Sequence, residues 1–416
     1  MMNKMKNPES TMTELTINGR LYKKPVQPVV VICIDGNAPE YFLSAVEKGR
    51  MPFIKQLIAQ GHQHESDCVI PSFTNPNNMS IITGVAPAQH GICGNFYFDG
   101  QQDVMMTNPD LLKAPTILEA FHQAGTKVIA ITAKDKLRAM LSHGLDFSNG
   151  NAICFSSELA NKTTVKEHGI DNAESVIGMP TPDVYSPELS EFVFRAGAKL
   201  LEQEQPDLMY LTTTDFIQHT FVPEQEGALS FYEMLDGYFA RLHQLGARMV
   251  ITADHGMNAK TNERGEANIV FIDEILAEYF PVNSYRTILP ITDPYVAHHS
   301  ALGSFAAIYV DDQALAQDIG KVLSQQKGVA EVLTKNEAAT RFELDPERIG
   351  DLILLGEPDF VLGKSKQHHD LGRLHGTLRS HGGVSEQRIP LVTNFVIPEN
   401  TDPLLRNFDA FYLAMQ

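Results

Sequence analysis

Two adjacent residues with metal-binding side chains, Asp254 and His255, directly follow the apolar run 248–253. The last four residues of that run, Val-Ile-Thr-Ala, are typical of a buried β-strand. A carboxylate beside an imidazole suits a divalent ion of intermediate hardness, such as zinc. Ligands of open α/β sheets bind at the carboxyl ends of the strands. The position therefore predicts a metal site, although an Asp and a hydrogen-bonded His also end strands that bind no metal.

Two further predicted strands end in the same kind of residue. The run 28–34 continues into Asp35, and the run 207–211 continues through three threonines into Asp215. His219 follows four residues after Asp215, so if the chain turns helical there, the two Cβ atoms lie about 5–6 Å apart on one face. A solvated Asp and a surface His would show the same spacing. Three acidic strand ends, two of them with a His, favour a metal cluster.

A further candidate ligand is His381, which two glycines follow. Glycine lets a loop approach a site closely because it has no Cβ atom. Five other histidines compete for the same role, namely His298, His299, His368, His369 and His375. Sequence spacing does not choose among them.

Thr74 and Asn95 are candidates for contact with a reacting group. Thr74 stands just ahead of a predicted helix at 78–83, where the positive end of the helix dipole favours an anion. Capping that helix is the alternative role for its side chain. A bound divalent ion would deprotonate the hydroxyl near neutral pH and make it a nucleophile. The amide of Asn95 could donate to an oxyanion or simply form a turn.

The composition is that of an ordinary soluble globular protein, with 43% hydrophobic and 20% charged residues among 416. A formal net charge of −18 argues against binding to nucleic acids or to anionic membranes. The N-terminus lacks a signal-peptide core, and no apolar run reaches the ~20 residues that span a bilayer, so we expect a cytoplasmic enzyme. The four cysteines lack CxxC spacing, which predicts buried free thiols at Cys33, Cys68, Cys93 and Cys154.

Strands alternate with helices over most of the chain. Strands are predicted at 28–34, 67–70, 127–132, 207–213, 247–253 and 389–395, and helices at 39–48, 52–60, 78–83, 115–124, 186–202 and 230–244. Apolar strands separated by helices predict a doubly wound, mainly parallel sheet of the α/β class. A C-terminal helix follows the last strand, and the segment 138–185 is irregular.

The alternation changes after residue 261. Short strands at 267–272, 295–299, 304–309 and 352–355, with helices at 273–279, 313–325 and 335–339, predict an inserted α+β cap at 262–370. Residues 1–24 are predicted to be a polar lead-in with a short strand at 15–21. The metal-binding α/β core then comprises residues 25–261 and 371–416.

The motifs, in chain order from about residue 28 to 395, resemble the alkaline phosphatase superfamily. They are Asp35, the Thr74 segment with 80–84, the segment 90–95, Asp215-x-x-x-His219, Asp254-His255-Gly256 and His381-Gly382. The resemblance implies an alkaline phosphatase-like core with two zinc ions per chain. One ion would be bound by Asp215, His219 and His381, and the other by Asp35, Asp254, His255 and the Thr74 hydroxyl. It also implies a homodimer; manganese or iron would suit the same ligands.

Within the superfamily, the chain is similar to the enzymes that cleave the carbon–phosphorus bond of phosphonoacetate, a small anionic phosphonate. The similarity lies in 71–78, in 91–95, and in Lys134 and Lys136 after a predicted strand. If the extended geometry persists, both lysines face the pocket, where they would bind the substrate carboxylate. Two solvated lysines are the alternative. The resemblance implies that Asn95 helps to bind the substrate. It also implies that Thr74 forms a phosphothreonine, with acetate and phosphate as the products.

Three other functions fit parts of the pattern. A nucleotide pyrophosphatase or phosphodiesterase shares the metal ligands and the nucleophile, but it should present an aromatic slot for a base and no paired lysines. A transferase similar to phosphoglycerate mutase would use a serine nucleophile, and the nearby serine is Ser72. A non-catalytic binding module would follow if the predicted ligands did not converge.

Overall fold

The computed structural model describes residues 14–291, 301–373, 377–398, 401 and 404–416. Apolar runs rich in Val, Ile and Leu form the centre of an eight-stranded sheet, because such side chains pack well on a pleated surface. In order across the sheet, the strands are Leu405–Arg406, Gln63–Asp67, Arg388–Thr393, Arg248–Thr252, Val29–Cys33, Leu208–Thr212, Val128–Thr132 and Ala152–Ser156. Arg388–Thr393 is antiparallel to both of its neighbours. The strands from Arg248–Thr252 onward are parallel, so the sheet is mainly parallel as predicted.

Both faces of this sheet are buried. Along Val29–Cys33, Val30 and Ile32 belong to one buried apolar cluster, and Val31 and Cys33 belong to another. The helices of this part of the chain are Pro39–Glu47, Pro52–Ala59, Thr74–Thr83, Pro87–His90, Ile117–Gln123, Asp135–Leu141, Val165–His168, Ala173–Ile177, Glu188–Glu204, Phe216–Thr220, Glu226–Gln244 and Ala410–Ala414. Layers of helices on both faces of a mainly parallel sheet confirm the predicted α/β class.

The register of three adjacent strands brings their carboxyl ends together. Cys33 is paired with Thr252 on one side and with Thr212 on the other. Because each strand advances about 3.3 Å per residue, the residues that follow these partners leave the sheet at the same edge. The three predicted acidic ligands therefore start from neighbouring strand ends.

The lead-in contains a β-hairpin, not the single strand that we predicted at 15–21. Its strands, Glu14–Ile17 and Arg20–Lys23, are joined by Asn18 and Gly19, whose φ angles are 49° and 83°. Two residues with positive φ form the turn that matches the twist of a two-residue hairpin, so the Asn-Gly pair is the signal that the prediction missed. The strand predicted at 67–70 lies instead at Gln63–Asp67, where it pairs with Arg388–Thr393.

The segment 138–185 is more regular than its sequence indicates. Helix Asp135–Leu141 extends into it, and Ala152–Ser156 forms the edge strand of the central sheet, parallel to Val128–Thr132. All five side chains of this edge strand are buried. The run is short and mixes apolar residues with Cys and Ser, so its periodicity did not distinguish it from the loops around it.

The region predicted as the cap contains a four-stranded antiparallel sheet. Its strands are, in order, Arg286–Ile288, Phe305–Tyr309, Leu352–Gly356 and Val329–Thr334. Its helices are Ile272–Leu276, Gln313–Ser324 and Lys335–Phe342. The first and last strands were not predicted, and the strand predicted at 295–299 lies outside the described residues. Phe73 of the core packs into the apolar cluster of this region, so the division into core and cap stays a prediction.

Three smaller strand pairs join these sheets. Ile269–Phe271 pairs in parallel with Val361–Gly363. The antiparallel pairs are Phe96–Phe98 with Asp103–Met105, and Asn258–Ala259 with Arg379–Ser380. The last pair follows one predicted ligand segment and precedes another, so it connects two parts of the candidate site.

Two expectations from the composition concern membranes and cysteines. Among the described residues, no helix has the combination of length and apolarity that a membrane crossing requires. The four cysteines are free and buried, as predicted. Burial raises the pKa of the Cys33 thiol well above its usual range, and the nearby charges of Asp254 and Asp35 add to the effect. This thiol is therefore a neutral, apolar part of the core.

Candidate metal centre

Acidic and imidazole side chains from four chain segments meet at the carboxyl edge of the sheet. His255 Nε2 lies 3.2 Å from Asp35 Oδ1, and His219 Nε2 lies 2.8 Å from Asp215 Oδ2. His381 Nε2 lies 3.7 Å from the same Asp215 oxygen. The helix Phe216–Thr220 begins directly after Asp215, which gives Asp215 and His219 the one-turn spacing that the sequence analysis required. Residues as far apart in the chain as 35 and 381 are therefore neighbours in the fold.

Two groups of these side chains are each compact enough to hold one ion. The first group is Asp215, His219 and His381, and the second is Asp35, Asp215 and His255. Within each group the ligand atoms lie within 4.8 Å of one another. The first group equals the predicted ligand set for one ion. The second shares Asp215 with the first, and it does not include Asp254.

Asp254 lies beside the second group and is held there by hydrogen bonds. Its Oδ2 atom is 3.9 Å from His255 Nε2. Its Oδ1 atom accepts from the backbone N–H groups of Gly36 and His255, at 3.2 and 3.0 Å, and Oδ2 accepts from Asn78 Nδ2 at 3.3 Å. Asp254 is completely buried. Its carboxylate is thus fixed within reach of the second group.

The three histidines present the same nitrogen to the cluster. Each Nδ1 atom lies against a backbone carbonyl oxygen, at 2.7 Å for His219 and Arg379, 2.9 Å for His255 and Gly256, and 2.7 Å for His381 and Ser72. A carbonyl oxygen only accepts, so Nδ1 carries the proton and donates it. In the neutral imidazole the lone pair is then on Nε2, which faces the carboxylates. Hydrogen bonds of this kind fix the orientation of histidines that bind metals.

The charges of the cluster fit divalent cations. Burial raises the pKa of Asp35 well above its usual range, and repulsion from Asp215 and Asp254 raises it further. Burial alone would lower the pKa of His255, but the three carboxylates, led by Asp254, raise it to about 10. Asp35 Oδ1 and His255 Nε2 are buried and form no well-aligned hydrogen bond with any described residue. Crowded carboxylates and inward imidazole nitrogens are a suitable donor set for zinc.

The competing histidines within the described residues lie elsewhere. His368 is exposed, and its Nδ1 atom lies 2.7 Å from the Ser365 hydroxyl oxygen. His369 accepts a hydrogen bond from the backbone N–H of Lys364. His298, His299 and His375 lie outside the described residues. Of the candidates that the structure describes, His381 is the one placed among the carboxylates.

Thr74 is the first residue of the helix Thr74–Thr83 and the one residue of that helix that is not buried. Phe73 is the N-cap, and no side chain caps this helix. The capping role that we weighed for Thr74 is therefore not what the structure shows. Its position at the helix start still favours an anion, because free N–H groups and the helix dipole both point there.

Ser72 carries the other hydroxyl of this segment, and it is completely buried. The hydroxyl donates to Gly383 O at 2.9 Å and accepts from Gly382 N–H at 3.0 Å. The carbonyl of Ser72 accepts from His381 Nδ1. Ser72 therefore supports the loop that carries His381, and its hydroxyl is not placed as the nucleophile of a mutase-like reaction.

A cavity opens beside the cluster. Its walls include predicted metal ligands and all four residues predicted to contact the substrate: Asp35, Asp215, His381, Thr74, Asn95, Lys134 and Lys136. The backbone N–H of Asn75 donates to Asn95 Oδ1 at 3.2 Å, so the amide nitrogen of Asn95 remains available to donate to another group. A hydroxyl, an amide and two ammonium groups thus line one cavity.

The two lysines reach the cavity by a different geometry from the one predicted. The chain does not stay extended, because the helix Asp135–Leu141 begins between them, with Lys134 as its N-cap. Burial lowers the pKa of Lys134, against the raising effect of Glu158. Burial and the charge of Lys134 lower the pKa of Lys136 to about 8. Two neighbouring ammonium groups that destabilise each other form a favourable site for an anion.

Sequence reasoning missed the residues that support Asp254 and Asp35. Asn78 Nδ2 donates to Asp254 and to the backbone carbonyl of Thr74, and Asn78 Oδ1 accepts from Tyr210 OH at 2.6 Å. Thr213 Oγ1 accepts from the backbone N–H of Asp35 at 2.9 Å. The signal in the sequence was that Asn78 stands one helical turn after Thr74, which puts both on one face.

Comparison with known proteins assigns the chain to a family. Residues 29–383 match the sequence model of the type I phosphodiesterase / nucleotide pyrophosphatase family. The chain belongs to this family. The family lies within the alkaline phosphatase superfamily, whose enzymes depend on metals, so the resemblance that the motifs indicated is confirmed.

Solved structures and a curated relative give finer similarities. Phosphonoacetate hydrolase from Sinorhizobium meliloti 1021, in complex with phosphonoformate, is 50% identical with a TM-score of 0.94, over 97% of this chain and 98% of that chain. The structure of its complex with phosphonoacetate is 49% identical in sequence with a TM-score of 0.93, over the same shares of the two chains. The fold of murine ectonucleotide pyrophosphatase / phosphodiesterase 5 is similar at 17% identity, with a TM-score of 0.61 over 93% of this chain and 94% of that chain.

A pyrophosphatase/phosphodiesterase of Schizosaccharomyces pombe, itself uncharacterised, is 23% identical over 290 residues, which is 64% of this chain and 53% of that protein. This chain thus spans about half the length of that relative. The finer resemblance to the phosphonoacetate hydrolases is confirmed by the S. meliloti structures. The chain is therefore a hydrolase.

Proposed function

We propose that the chain is a dizinc hydrolase that cleaves the carbon–phosphorus bond of phosphonoacetate to give acetate and phosphate. One observation carries this proposal: Thr74, Lys134 and Lys136 line the same cavity as the Asp and His cluster. The similarity to the phosphonoacetate hydrolase of S. meliloti, which extends over nearly the whole of both chains, supports the proposal. The homodimer implied by the superfamily resemblance stays a prediction.

The ligand assignment that the superfamily resemblance implies gives one set of residues for each ion. Asp215, His219 and His381 would hold one zinc ion, and Asp35, Asp254 and His255, with the Thr74 hydroxyl, would hold the other. When bound, such ions lower the pKa of an oxygen nucleophile and stabilise the charge of a phosphoryl group. Manganese or iron would suit the same ligands.

Thr74 Oγ is the nucleophile in this mechanism. As it attacks phosphorus, its hydroxyl proton passes to solvent, the O–P bond forms and the P–C bond breaks, which leaves a phosphothreonine. The electron pair of the P–C bond passes to the methylene carbon and is delocalised into the adjacent carboxylate, and a proton from solvent then completes acetate. Water next attacks the phosphothreonine, which releases phosphate and restores the hydroxyl. The amide of Asn95 donates to a phosphoryl oxygen during both steps.

Lys134 and Lys136 explain the choice of substrate. A carbanion is a poor leaving group unless its charge is spread, and cationic groups at the substrate carboxylate stabilise the enolate-like form. Each ammonium also makes a charge-assisted contact in the bound state. A simple alkylphosphonate lacks the carboxylate and would gain neither effect.

The family match also fits a nucleotide phosphodiesterase, and the cavity distinguishes the two. Its described lining contains two lysines and no aromatic side chain, which favours a substrate with a carboxylate over one with a nucleobase. The convergence of the ligands likewise argues against a binding module without catalysis.

Substitution of the lysines tests the substrate assignment. In Lys134→Ala and Lys136→Ala, each lost charge-assisted contact is expected to cost about 1.5–3 kcal/mol, or about 10- to 150-fold in kcat/KM for phosphonoacetate. Hydrolysis of a simple aryl phosphate ester should fall much less, and the exposed Lys55→Ala should change neither rate. Equal losses on both substrates would mean that the lysines bind the phosphoryl group or hold the fold.

A further inference from the structure

Lys260 and Glu386 form an ion pair that the mechanism does not use. Their side chains are both 0% exposed, and Lys260 Nζ lies 2.7 Å from Glu386 Oε1. Taking two charges out of water costs several kcal/mol per ion, so such a pair is weak evidence for stability by itself. Stability alone therefore does not explain why charged residues occupy these two buried positions.

Glu386 contacts both segments that carry the metal-binding histidines. Its backbone carbonyl accepts from the N–H of Gly256 at 2.8 Å, and Gly256 directly follows His255. Its side-chain Oε2 accepts from the N–H of Gly383 at 3.0 Å, two residues after His381. Glu386 therefore contacts the ligand segment of one proposed ion through its own backbone carbonyl and the ligand segment of the other through its carboxylate.

The second oxygen of Glu386 is fully engaged by donors. Oε1 accepts from Lys260 Nζ, from Asn258 Nδ2 at 2.7 Å and from Ser385 Oγ at 2.6 Å. Burial alone would raise the pKa of Glu386, but the charge and hydrogen bond of Lys260, with the other donors, hold it below its usual range. The carboxylate is therefore ionised, and it is fixed from three directions.

Lys260 is tied to the same two segments from the other side. It directly follows the strand Asn258–Ala259, which pairs with Arg379–Ser380, the strand that ends next to His381. Its backbone N–H donates to Leu378 O at 2.7 Å, and its ammonium group donates to Pro358 O at 2.7 Å. The ion pair thus links the strand after one ligand segment to the loop after the other.

The two histidines on these segments, His255 and His381, lie close together. The rings of His255 and His381 stack with centroids 3.6 Å apart and planes 6° apart, although the two residues belong to different ligand groups. A Cβ atom on Gly256 would stand 3.2 Å from Glu386 O, so the backbones already touch. A shift of either segment would change the distance between the two histidine rings.

We propose that Glu386, held in place by Lys260, is a positioning residue that sets the placement of His255 and His381 and so the affinity of both metal sites. This inference rests on the dimetal centre of the proposed function. Partners behind a ligand contribute typically about 10- to 100-fold to metal affinity. Glu386 would act on two ions at once, because it holds a ligand segment of each.

Zinc affinity measured by competition with a chromophoric chelator tests this role, at a temperature well below unfolding. Glu386→Gln keeps the size of the side chain, but its amide group brings N–H donors to a place where Gly383 and Lys260 already donate. Both zinc affinities are expected to fall by about 10- to 100-fold, and Lys260→Met should lower them in the same direction. The absorption bands of the cobalt-substituted protein should shift as well, because they report ligand geometry.

Asp236→Asn is the matched control for the loss of a buried charge. Asp236 is buried and accepts from the backbone N–H groups of Phe53 and Ile54, away from the cavity. The control should lower the midpoint of thermal unfolding and leave both zinc affinities unchanged. If Glu386→Gln does not fold, Asn258→Ala and Ser385→Ala each remove one donor to Oε1, and each should weaken zinc binding several-fold.

The outcomes separate this inference from the proposed function. The wild-type protein is expected to bind two zinc ions. If Glu386→Gln and Lys260→Met then bind zinc within twofold of the wild-type affinities, the positioning role is overturned and the dimetal centre is not. The positioning role would also be overturned if these variants lost stability as Asp236→Asn does, with unchanged affinities and cobalt bands. Wild-type protein that binds no divalent ion would overturn both proposals.

Discussion

Thr74 and Ser72 carry the same functional group two residues apart, and their surroundings give them different roles. Thr74 borders the cavity at a helix start, whereas the hydroxyl of Ser72 is buried between Gly382 and Gly383. Chemical identity therefore does not select the nucleophile. Access to the cavity favours Thr74 as the proposed nucleophile, whereas the hydroxyl of Ser72 is engaged by the loop that carries His381.

Removal of each hydroxyl should give opposite phenotypes. Thr74→Ala should lower kcat by at least about 10³-fold, because it removes the proposed nucleophile, and its thermal stability should be nearly unchanged. Ser72→Ala should retain measurable turnover and lose about 1–3 kcal/mol of unfolding free energy, because it leaves a buried N–H without its acceptor. Acid-quenched wild-type enzyme should carry phosphate on the Thr74 peptide. More than about a tenth of wild-type activity in Thr74→Ala would contradict the covalent mechanism.

At the scale of elements, the site is made by strand ends and one loop. The strand ends fix three aspartates and His255 through the register of the central sheet. The loop that carries His381 depends on backbone conformations that only glycine adopts readily. Gly382 has a φ angle of 116°, and a Cβ atom there would lie 2.4 Å from Phe73 Cε1.

A methyl group at Gly382 should therefore displace His381. Gly382→Ala is expected to weaken one zinc site by at least about tenfold, with a matching loss of activity. Gly150→Ala is the control, since Gly150 also has a positive φ of 74° but nothing lies within 4 Å of its Cβ position. Strain alone should cost the control about 1–2 kcal/mol of stability and no metal. Zinc per chain after dialysis is the measurement, and equal zinc content in both variants would refute the account of the loop.

These elements show which parts of the site were predictable from sequence. Apolar runs that end in Asp and His were visible because strand periodicity and ligand chemistry coincide at 248–255. The choice of His381 needed the resemblance, because nothing local in a loop reveals what it approaches. The roles of Ser72, Asn78 and Glu386 depend on packing between distant segments, and the helix at Asp135 changed how the lysines reach the cavity.

The whole molecule is strongly acidic, with a formal net charge of −18, yet its proposed substrate is an anion. Two divalent ions and three aspartates sum to a local charge of about +1, to which the two lysines add. The centre would therefore attract an anion although the protein surface is negatively charged. Salt screens the repulsion between distant surface charges and the substrate beyond about 10 Å. Without the ions, the same carboxylates repel each other, and this repulsion adds to the effect of burial in raising the pKa of Asp35.

Metal removal should consequently destabilise the fold as well as stop the reaction. Zinc at a hundredfold excess over its Kd stabilises the native state by about 2.7 kcal/mol per site. A chelator should lower the midpoint of thermal unfolding, and added zinc should restore both the midpoint and the activity. An unchanged midpoint after verified removal of the ions would contradict the placement of charged ligands in the buried core.

The comparison of substrates tests the central claim most directly. Purified enzyme loaded with zinc is given phosphonoacetate, a nitrophenyl phosphodiester or ATP in separate reactions, and phosphate, acetate, nitrophenol and AMP are measured. Phosphonoacetate should yield acetate and phosphate in equal amounts, with a kcat/KM at least about 10²-fold above the other two, since two lysine contacts favour it. Faster turnover of the phosphodiester or of ATP, without acetate from phosphonoacetate, would contradict the assignment and establish a phosphodiesterase.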